Sequence, residues 1–193
     1  KVKNLIYASS GSVYGVKKEK KVSENISLTP ISTYNETKMI AERVFLSYKD
    51  YMQVHCIRPA TVCGFSPRMR LDVSVNMFAF QALNNREITI FGGDQVRPNI
   101  HINDIVEVYN HFINNPIIES GFYNAGFENI SIREIAQMVS QIIPTKLSIT
   151  ESNDPRSYRQ DSSKLLKTGF KPKYNVYNAI KEISEIYKKG SFP

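Results

Sequence analysis

Two short apolar runs, "NLIYA" at residues 4–8 and "VHCI" at residues 54–57, stand on either side of a stretch with helical periodicity, "TYNETKMIAERVFLSYKDY". Runs of this length, rich in branched and aromatic side chains, predict buried strands. Alternation of such strands with helices predicts an α/β fold with a mostly parallel sheet. In the helix, Ala41, Val44, Phe45 and Tyr48 recur at helical spacing and form the expected apolar face. The strand "MQVHCIRP" ends at Pro59, and the loop "ATVCGFSPRMRLD" leads into a helical "VSVNMFAFQALNN". A short strand "EITIFGG", a helix "NDIVEVYNHFIN" and a strand "GFYNAG" follow. The helix "SIREIAQMVSQII" opens on a capping box, Ser131 with Glu134, and "VYNAIKEISEIYKK" is a final amphipathic helix. Alternation weakens in the second half, which predicts a smaller mixed lobe.

Composition narrows the class of protein. With 41% hydrophobic and 22% charged residues the chain can pack a core, which excludes a disordered or collagen-like protein. No apolar stretch approaches the roughly 18 residues that span a bilayer. The opening "KVKNLIYASS" lacks the apolar core of a secretory leader, so a cytoplasmic protein away from membranes is expected. Cys56 and Cys63 are too few for a disulfide framework and lack metal-ligand spacing; Cys56, inside a strand, reads as core. The formal charge of +7 is dispersed, and the one basic run, "KKEKK" from Lys17 to Lys21, is interrupted by Glu19 and reads as a solvated loop. No basic-aromatic motif accompanies it, so nucleic acid is not the expected partner. Mild basicity does suit a ligand that carries phosphates.

The chemistry concentrates around "YASSGSVYG", residues 7–15, where two serines follow an apolar strand. Hydroxyl residues just past the carboxyl end of a buried parallel strand lie where α/β proteins place their ligands. In "YNETK", Tyr34 and Lys38 are four apart and share one helix face. Lowering a tyrosine pKa from about 10 to about 7 takes roughly 3 pK units, or about 4 kcal/mol. A close ammonium group supplies much of that. Such a phenol can exchange a proton with a sugar hydroxyl while a serine hydroxyl bonds the same oxygen. Two further pairs share the spacing, Tyr14/Lys18 and Tyr177/Lys181. The first falls in a loop and the second follows no serine-ended strand, so Tyr34/Lys38 is the pair with helix and strand context.

Taken in order, "SSGSVYG", "TPISTYNETKMIAE", "IRPATVCG" and "FGGDQVRPNIHINDI" resemble the extended short-chain dehydrogenase/reductase superfamily, in its nucleotide-sugar epimerase/dehydratase branch. The resemblance runs over nearly the whole chain. It implies the C-terminal part of a Rossmann-like parallel sheet with a smaller mixed α/β substrate-binding lobe. Residues 1–61 would be a Rossmann-like segment, 62–98 part of the substrate lobe, 99–126 a return to the Rossmann-like core, and 127–193 the C-terminal lobe. By the same resemblance Ser10, Tyr34 and Lys38 are the catalytic residues. Ser9, Tyr34, Lys38, Pro59 and Ala60 would meet the cofactor, NAD with NADP as the alternative. Ser10, Thr61, Asn76, Arg97, Arg156 and Arg159 would meet a nucleotide-diphosphate sugar, the arginines through its phosphates. His101 reads as a structural strand histidine, and Arg68 and Arg70 face either the substrate or solvent. A homodimer through the tyrosine helix is the expected assembly.

The reaction follows from what stands beside Ser10. Dehydratases of this branch usually carry an acidic residue directly after the catalytic Ser/Thr, to protonate the departing hydroxyl. Here Gly11 and Ser12 occupy those positions. That disfavours dehydration and leaves epimerisation, of the UDP-glucose 4-epimerase kind, or reduction of a 4-keto sugar. Thr61 departs from the asparagine that 4-epimerases commonly carry there, which leaves the substrate open. The branch also binds its dinucleotide through a glycine-rich turn after the first strand, and no such turn occurs here. Counted against the family pattern, the chain is expected to start near the fifth strand, so a non-catalytic nucleotide-sugar-binding fragment is the competing expectation.

Overall fold

The computed structural model describes residues 2–85, 87–152 and 157–190. In chain order the elements are β1 (Asn4–Ala8), a 3-10 turn (Gly11–Tyr14), α1 (Thr33–Leu46), β2 (Gln53–Pro59), β3 (Thr61–Cys63), α2 (Ser74–Asn85), β4 (Glu87–Phe91) and β5 (Val96–His101). They continue as α3 (Ile102–Asn114), β6 (Gly121–Ala125), β7 (Glu128–Ser131), α4 (Ile132–Ile142), β8 (Lys146–Thr150), α5 (Ser163–Lys167) and α6 (Val176–Lys188). Among the described residues the strands form three sheets, in the orders β1-β2-β6, β3-β5-β7 and β4-β8. Among the described residues the strand pairs are parallel except β5–β7. The α/β class with parallel sheets is as the alternation predicts.

The first sheet positions the site. β1 and β2 run in parallel register from Asn4↔Gln53 to Ala8↔Ile57, and α1 is the crossover between them. Ile57, Tyr123 and Ala125 of this sheet pack with Ile100, Val108 and Phe112 in one core, which α3 covers. A second core joins Val75, Phe78, Ile88, Ile135, Val139, Ile180 and Ile183, where α2, α4 and α6 meet β4. A third, small cluster of Val13, Tyr14 and Val22 sits beneath the loop that leaves β1. Both cysteines are buried and unpaired, and burial pushes each thiol up to about 12.

Local chemistry sets the helix starts. Ser131 and Glu134 form the expected capping box on α4, and Asn175 with Asn178 forms a second on α6. His101 caps α3: its Nδ1 accepts from the Asn103 amide at 3.1 Å, and its ring stacks on Tyr174. Burial lowers the His101 pKa, against the opposing pull of Glu182 and Asp104. Burial also lowers that of His55, whose ring lies within the first sheet. Both histidines therefore bind protons more readily unfolded than folded. Stability from this source is complete above the unfolded value of about 6.5 and is lost as pH falls below it. Melting temperature should drop between about pH 7 and pH 5. A flat profile over that range, followed by circular dichroism, would contradict the neutral cap.

Three expectations need correction. The expected apolar face of α1 turns inward only in part: Phe45 packs on Tyr7 and Ala41 is half-buried, but Val44 and Tyr48 are 52% and 49% exposed, while Asn35 and Glu42 are buried. The reason is an inward-facing polar system described below. The stretch 60–72 is not all loop, because Thr61–Cys63 adds a strand beside β5. β7, β8 and α5 also escape a pattern reading, being four or five residues long.

Candidate active site

Past β1 the chain keeps one more sheet bond, the Ser9 amide donating to the Ile57 carbonyl at 2.8 Å. It then turns sharply. Ser10 caps the 3-10 turn, its Oγ accepting from the Ser12 amide at 3.2 Å. Two glycines make the turn fit. A Cβ on Gly11 would lie 3.0 Å from the Pro59 carbonyl oxygen and 3.2 Å from the Gln160 amide. Gly15 has φ of 70°, and a Cβ there would lie 2.0 Å from the Thr29 carbonyl. The loop is thus pressed against the end of β2.

The first turn of α1 arrives at the same strand ends. Ser32 caps it by accepting from the Asn35 amide. Tyr34, on this first turn, is 56% exposed. One turn further, Lys38 donates from Nζ to the Ala8 carbonyl at 2.7 Å. Its ammonium lies 5.6 Å from the Tyr34 ring centre and 5.0 Å from that of Tyr7. A chain of hydrogen bonds joins the two segments: Ser10 Oγ lies 2.8 Å from Ser12 Oγ, and Ser12 Oγ donates to Asn35 Oδ1 at 2.7 Å. Ser10, Tyr34 and Lys38 therefore belong to one connected corner, with Tyr34 open to solvent and Lys38 tied to the strand end.

Behind this corner lies a buried polar network that pattern reading missed. Arg58, in β2, grips the Glu42 carboxylate with two bonds of 2.8 and 2.7 Å, both side chains almost fully buried. Its third nitrogen donates to the Tyr14 hydroxyl at 2.8 Å, and that hydroxyl donates to Asn124 Oδ1 at 2.8 Å. Gln160 Nε2 bonds both Asn124 Oδ1 and the Arg58 carbonyl. Burial pushes the Tyr14 phenol up to about 12, partly offset by Arg58. Tyr14 thus stays protonated inside the fold, and its Tyr14/Lys18 spacing has no part in the corner. The signal that could have exposed the network is a charged residue inside an apolar strand, Arg58, together with Glu42 one turn after Lys38 on the same helix face.

The sequence profile of the NAD dependent epimerase/dehydratase family matches residues 1–126. The chain belongs to that family. Among curated relatives, the uncharacterized UDP-glucose epimerase YtcB of Bacillus subtilis (strain 168) is 30% identical over 150 residues, covering 77% of this chain and 47% of its own length. A UDP-glucose 4-epimerase of Lactobacillus helveticus is 28% identical over 209 residues, covering 93% of this chain and 62% of its own. The chain thus spans about half to three-fifths of these relatives. Among solved structures, MoeE5 in complex with UDP-glucose and NAD superposes with a TM-score of 0.84 at 24% identity, over 98% of this chain and 66% of that one. This last likeness is one of fold.

Within this epimerase/dehydratase chain, the other residues singled out from sequence scatter over several elements. Pro59 ends β2 and Ala60 follows it, the Ala60 amide donating to the Ala125 carbonyl at 2.8 Å, and Thr61 opens β3 half-buried. Asn76 is buried on α2, accepting from the Gly64 amide and donating to the Arg70 carbonyl, so it pins the 64–70 loop. Arg97 lies half-buried on β5, and Arg159 is exposed, its carbonyl accepting from the Val22 amide. Arg70 pairs with Asp72 on the surface. Arg156 lies outside the described residues. Two shallow clefts, of about 260 and 280 Å³, are lined by residues such as Asn103 and Tyr174 or Arg43 and Phe122, away from the Ser10–Tyr34–Lys38 corner.

Proposed function

We propose that this corner serves a nucleotide-sugar epimerase of the UDP-glucose 4-epimerase kind. The observation that carries the reading is the joined Ser10–Tyr34–Lys38 corner with no carboxylate at positions 11 and 12. Gly11 adds a steric reason: a Cβ there would lie 3.0 Å from the Pro59 carbonyl oxygen and 3.2 Å from the Gln160 amide, so an acidic side chain at that position would require its neighbours to shift. Similarity to UDP-glucose epimerases among the curated relatives supports the same direction.

The strand ends suit a dinucleotide's nicotinamide half. Ser9 Oγ is buried there with no hydrogen-bond partner among the described residues, a polar atom that calls for a ligand. Ser9, Lys38, Tyr34 and the Pro59–Ala60 backbone are the groups that would hold NAD, or NADP in its place. When bound, NAD supplies a hydride acceptor that can give the hydride back. The chain's own residues manage the oxygen. Tyr34 Oη takes the proton from the sugar hydroxyl as that carbon is oxidised and returns it when the carbon is reduced. Ser10 bonds the same oxygen, and Lys38, fixed on Ala8, holds its charge beside the Tyr34 ring. Thr61, at the end of the Rossmann-like segment, and Arg97, Arg156 and Arg159, in a lobe formed by residues 62–98 and 127–193, are proposed contacts to the nucleotide-diphosphate sugar; Asn76, buried and engaged by Gly64 and Arg70, would act through the 64–70 loop that it pins.

Incubating the full-length protein with UDP-glucose and NAD tests the reading. UDP-galactose should accumulate without net reduction of NAD. A 4-keto reductase, the second reading of the same residues, would leave UDP-glucose unepimerised and, given a UDP-4-keto sugar and NADH, would consume one NADH for each alcohol formed. A protein that binds UDP-glucose and transforms no nucleotide sugar would overturn both readings in favour of a binding fragment.

Assembly is proposed through α1. Ile40 and Val44 of α1 and Tyr48 just past its end are about half exposed and continue toward Tyr51, an apolar stripe on the side away from the buried Asn35 and Glu42. Full-length protein should elute as a dimer in light-scattering chromatography, and Val44→Glu with Ile40→Glu should shift it to monomer. A monomeric wild type would contradict this.

A further inference from the structure

Tyr7 stands near the end of β1, and the sheet turns its ring toward α1. Its partner in register is Cys56, whose Sγ donates to the Glu42 carbonyl of that helix at 3.9 Å. Residues paired in register on parallel strands leave the sheet on the same face. Lys38, Glu42 and Phe45 succeed one another at spacings of four and three, so they form one stripe of α1 facing the strands. The half-buried Tyr7 ring touches both ends of this stripe. Phe45 packs on it with ring centres 4.8 Å apart and planes at 49°. The Lys38 ammonium stands over the same ring, 5.0 Å from its centre.

Lys38 has one hydrogen bond here, to the Ala8 carbonyl at 2.7 Å, which leaves two of its three N–H groups free. A single bond at the end of a flexible stem fixes a distance more firmly than a direction. The face of an aromatic ring is negative and attracts a cation within about 6 Å of its centre, so the Tyr7 ring supplies a second hold. From this geometry we infer that Tyr7 is a positioning residue: its ring face, braced by Phe45, keeps the Lys38 ammonium beside the Tyr34 ring with two N–H groups free for the cofactor and the phenol. Tyr7 does this without touching cofactor or sugar. An aliphatic side chain of similar bulk would fill the space on Phe45 and offer the ammonium no charge. The inference rests on the proposal that Lys38 meets NAD and holds its charge beside Tyr34.

Ring fluorination of the full-length protein is the test. Phenylalanine bearing successive ring fluorines, introduced at position 7 by nonsense suppression, keeps the ring while draining negative charge from its face. Tyr7→Phe retains the face and should bind NAD and turn over UDP-glucose within about twofold of wild type. Along the fluorinated series, NAD affinity by calorimetry and kcat should fall stepwise, by about 2- to 10-fold in all, the scale of one cation–π contact. KM for UDP-glucose should stay constant, since the ring does not meet the sugar. Tyr7→Leu should match the most fluorinated ring. NAD affinity and kcat that ignore the fluorines would show that the ring merely packs, and would overturn the inference. A fall in NAD affinity that persists along the series in a Lys38→Met background would overturn it too, because the fluorines would then be acting without the ammonium. Lys38→Met alone is the control for the underlying proposal. If it lowers NAD affinity and kcat while the fluorinated series stays level, only the inference fails. If it changes neither, Lys38 serves neither cofactor nor phenol and both fail. The fluorinated rings are close in size to the native one, so the series keeps the test open should Tyr7→Leu not fold.

Discussion

Tyr34→Phe should reduce sugar turnover by about 10²- to 10⁴-fold, the range expected for loss of a positioned general acid–base. Nucleotide-sugar binding should change little. The phenol is exposed and the ring's neighbours, Lys38 at 5.6 Å among them, remain in place when only the hydroxyl is removed. Fold and stability should therefore match the wild type, which distinguishes loss of the proton carrier from damage to the corner. Steady-state kinetics with UDP-glucose, alongside a melting curve, decide the matter. Turnover within tenfold of wild type would remove Tyr34 from the role of acid–base.

Arg58→Leu should act through stability. Deleting the guanidinium strands the Glu42 carboxylate, which is almost fully buried and has Arg58 as its ion-pair partner among the described residues. Removing one partner of a buried pair costs about 3–5 kcal/mol. The loss extends to Tyr14, whose hydroxyl receives from Arg58, and through it to the loop that carries Ser10. Replacing both partners, Glu42→Met with Arg58→Met, should cost less than Arg58→Leu alone, because no buried charge is left over. Denaturant unfolding of the single and double variants at pH 7 measures the difference. Equal stability of Arg58→Leu and wild type would mean that the pair does not hold the corner.

Much of the fold was legible because the first sheet obeys simple rules. β1 and β2 are short runs of branched and aromatic residues, and a helix with a serine cap lies between them. Tyr34 and Lys38 could be selected because they share a helix face after a strand followed by serines; Ser10 was singled out from those serines by the family resemblance. The face of α1 was misjudged for a physical reason. Apolar spacing suggested that Val44 and Tyr48 turn inward, yet the inward face is Asn35, Lys38 and Glu42, each with a polar partner on β1, on β2 or in the 3-10 turn. Partners so distant in sequence cannot be read from periodicity. Tyr14 and Asn124 are 110 residues apart, and Ser12 and Asn35 are 23 apart. The three-residue β3 and the half-exposed β8 are too short or too mixed to declare themselves before their neighbours are known.

The central claim is that the sugar carbon's hydrogen leaves and returns as a hydride while Tyr34 and Ser10 handle only the proton on oxygen. UDP-glucose carrying deuterium at C4 tests it directly, with the full-length protein, NAD and mass analysis of the product. Retention of the deuterium at C4 of UDP-galactose is the expected result. Deuterium lost to solvent, or a product one water lighter than the substrate, would contradict it.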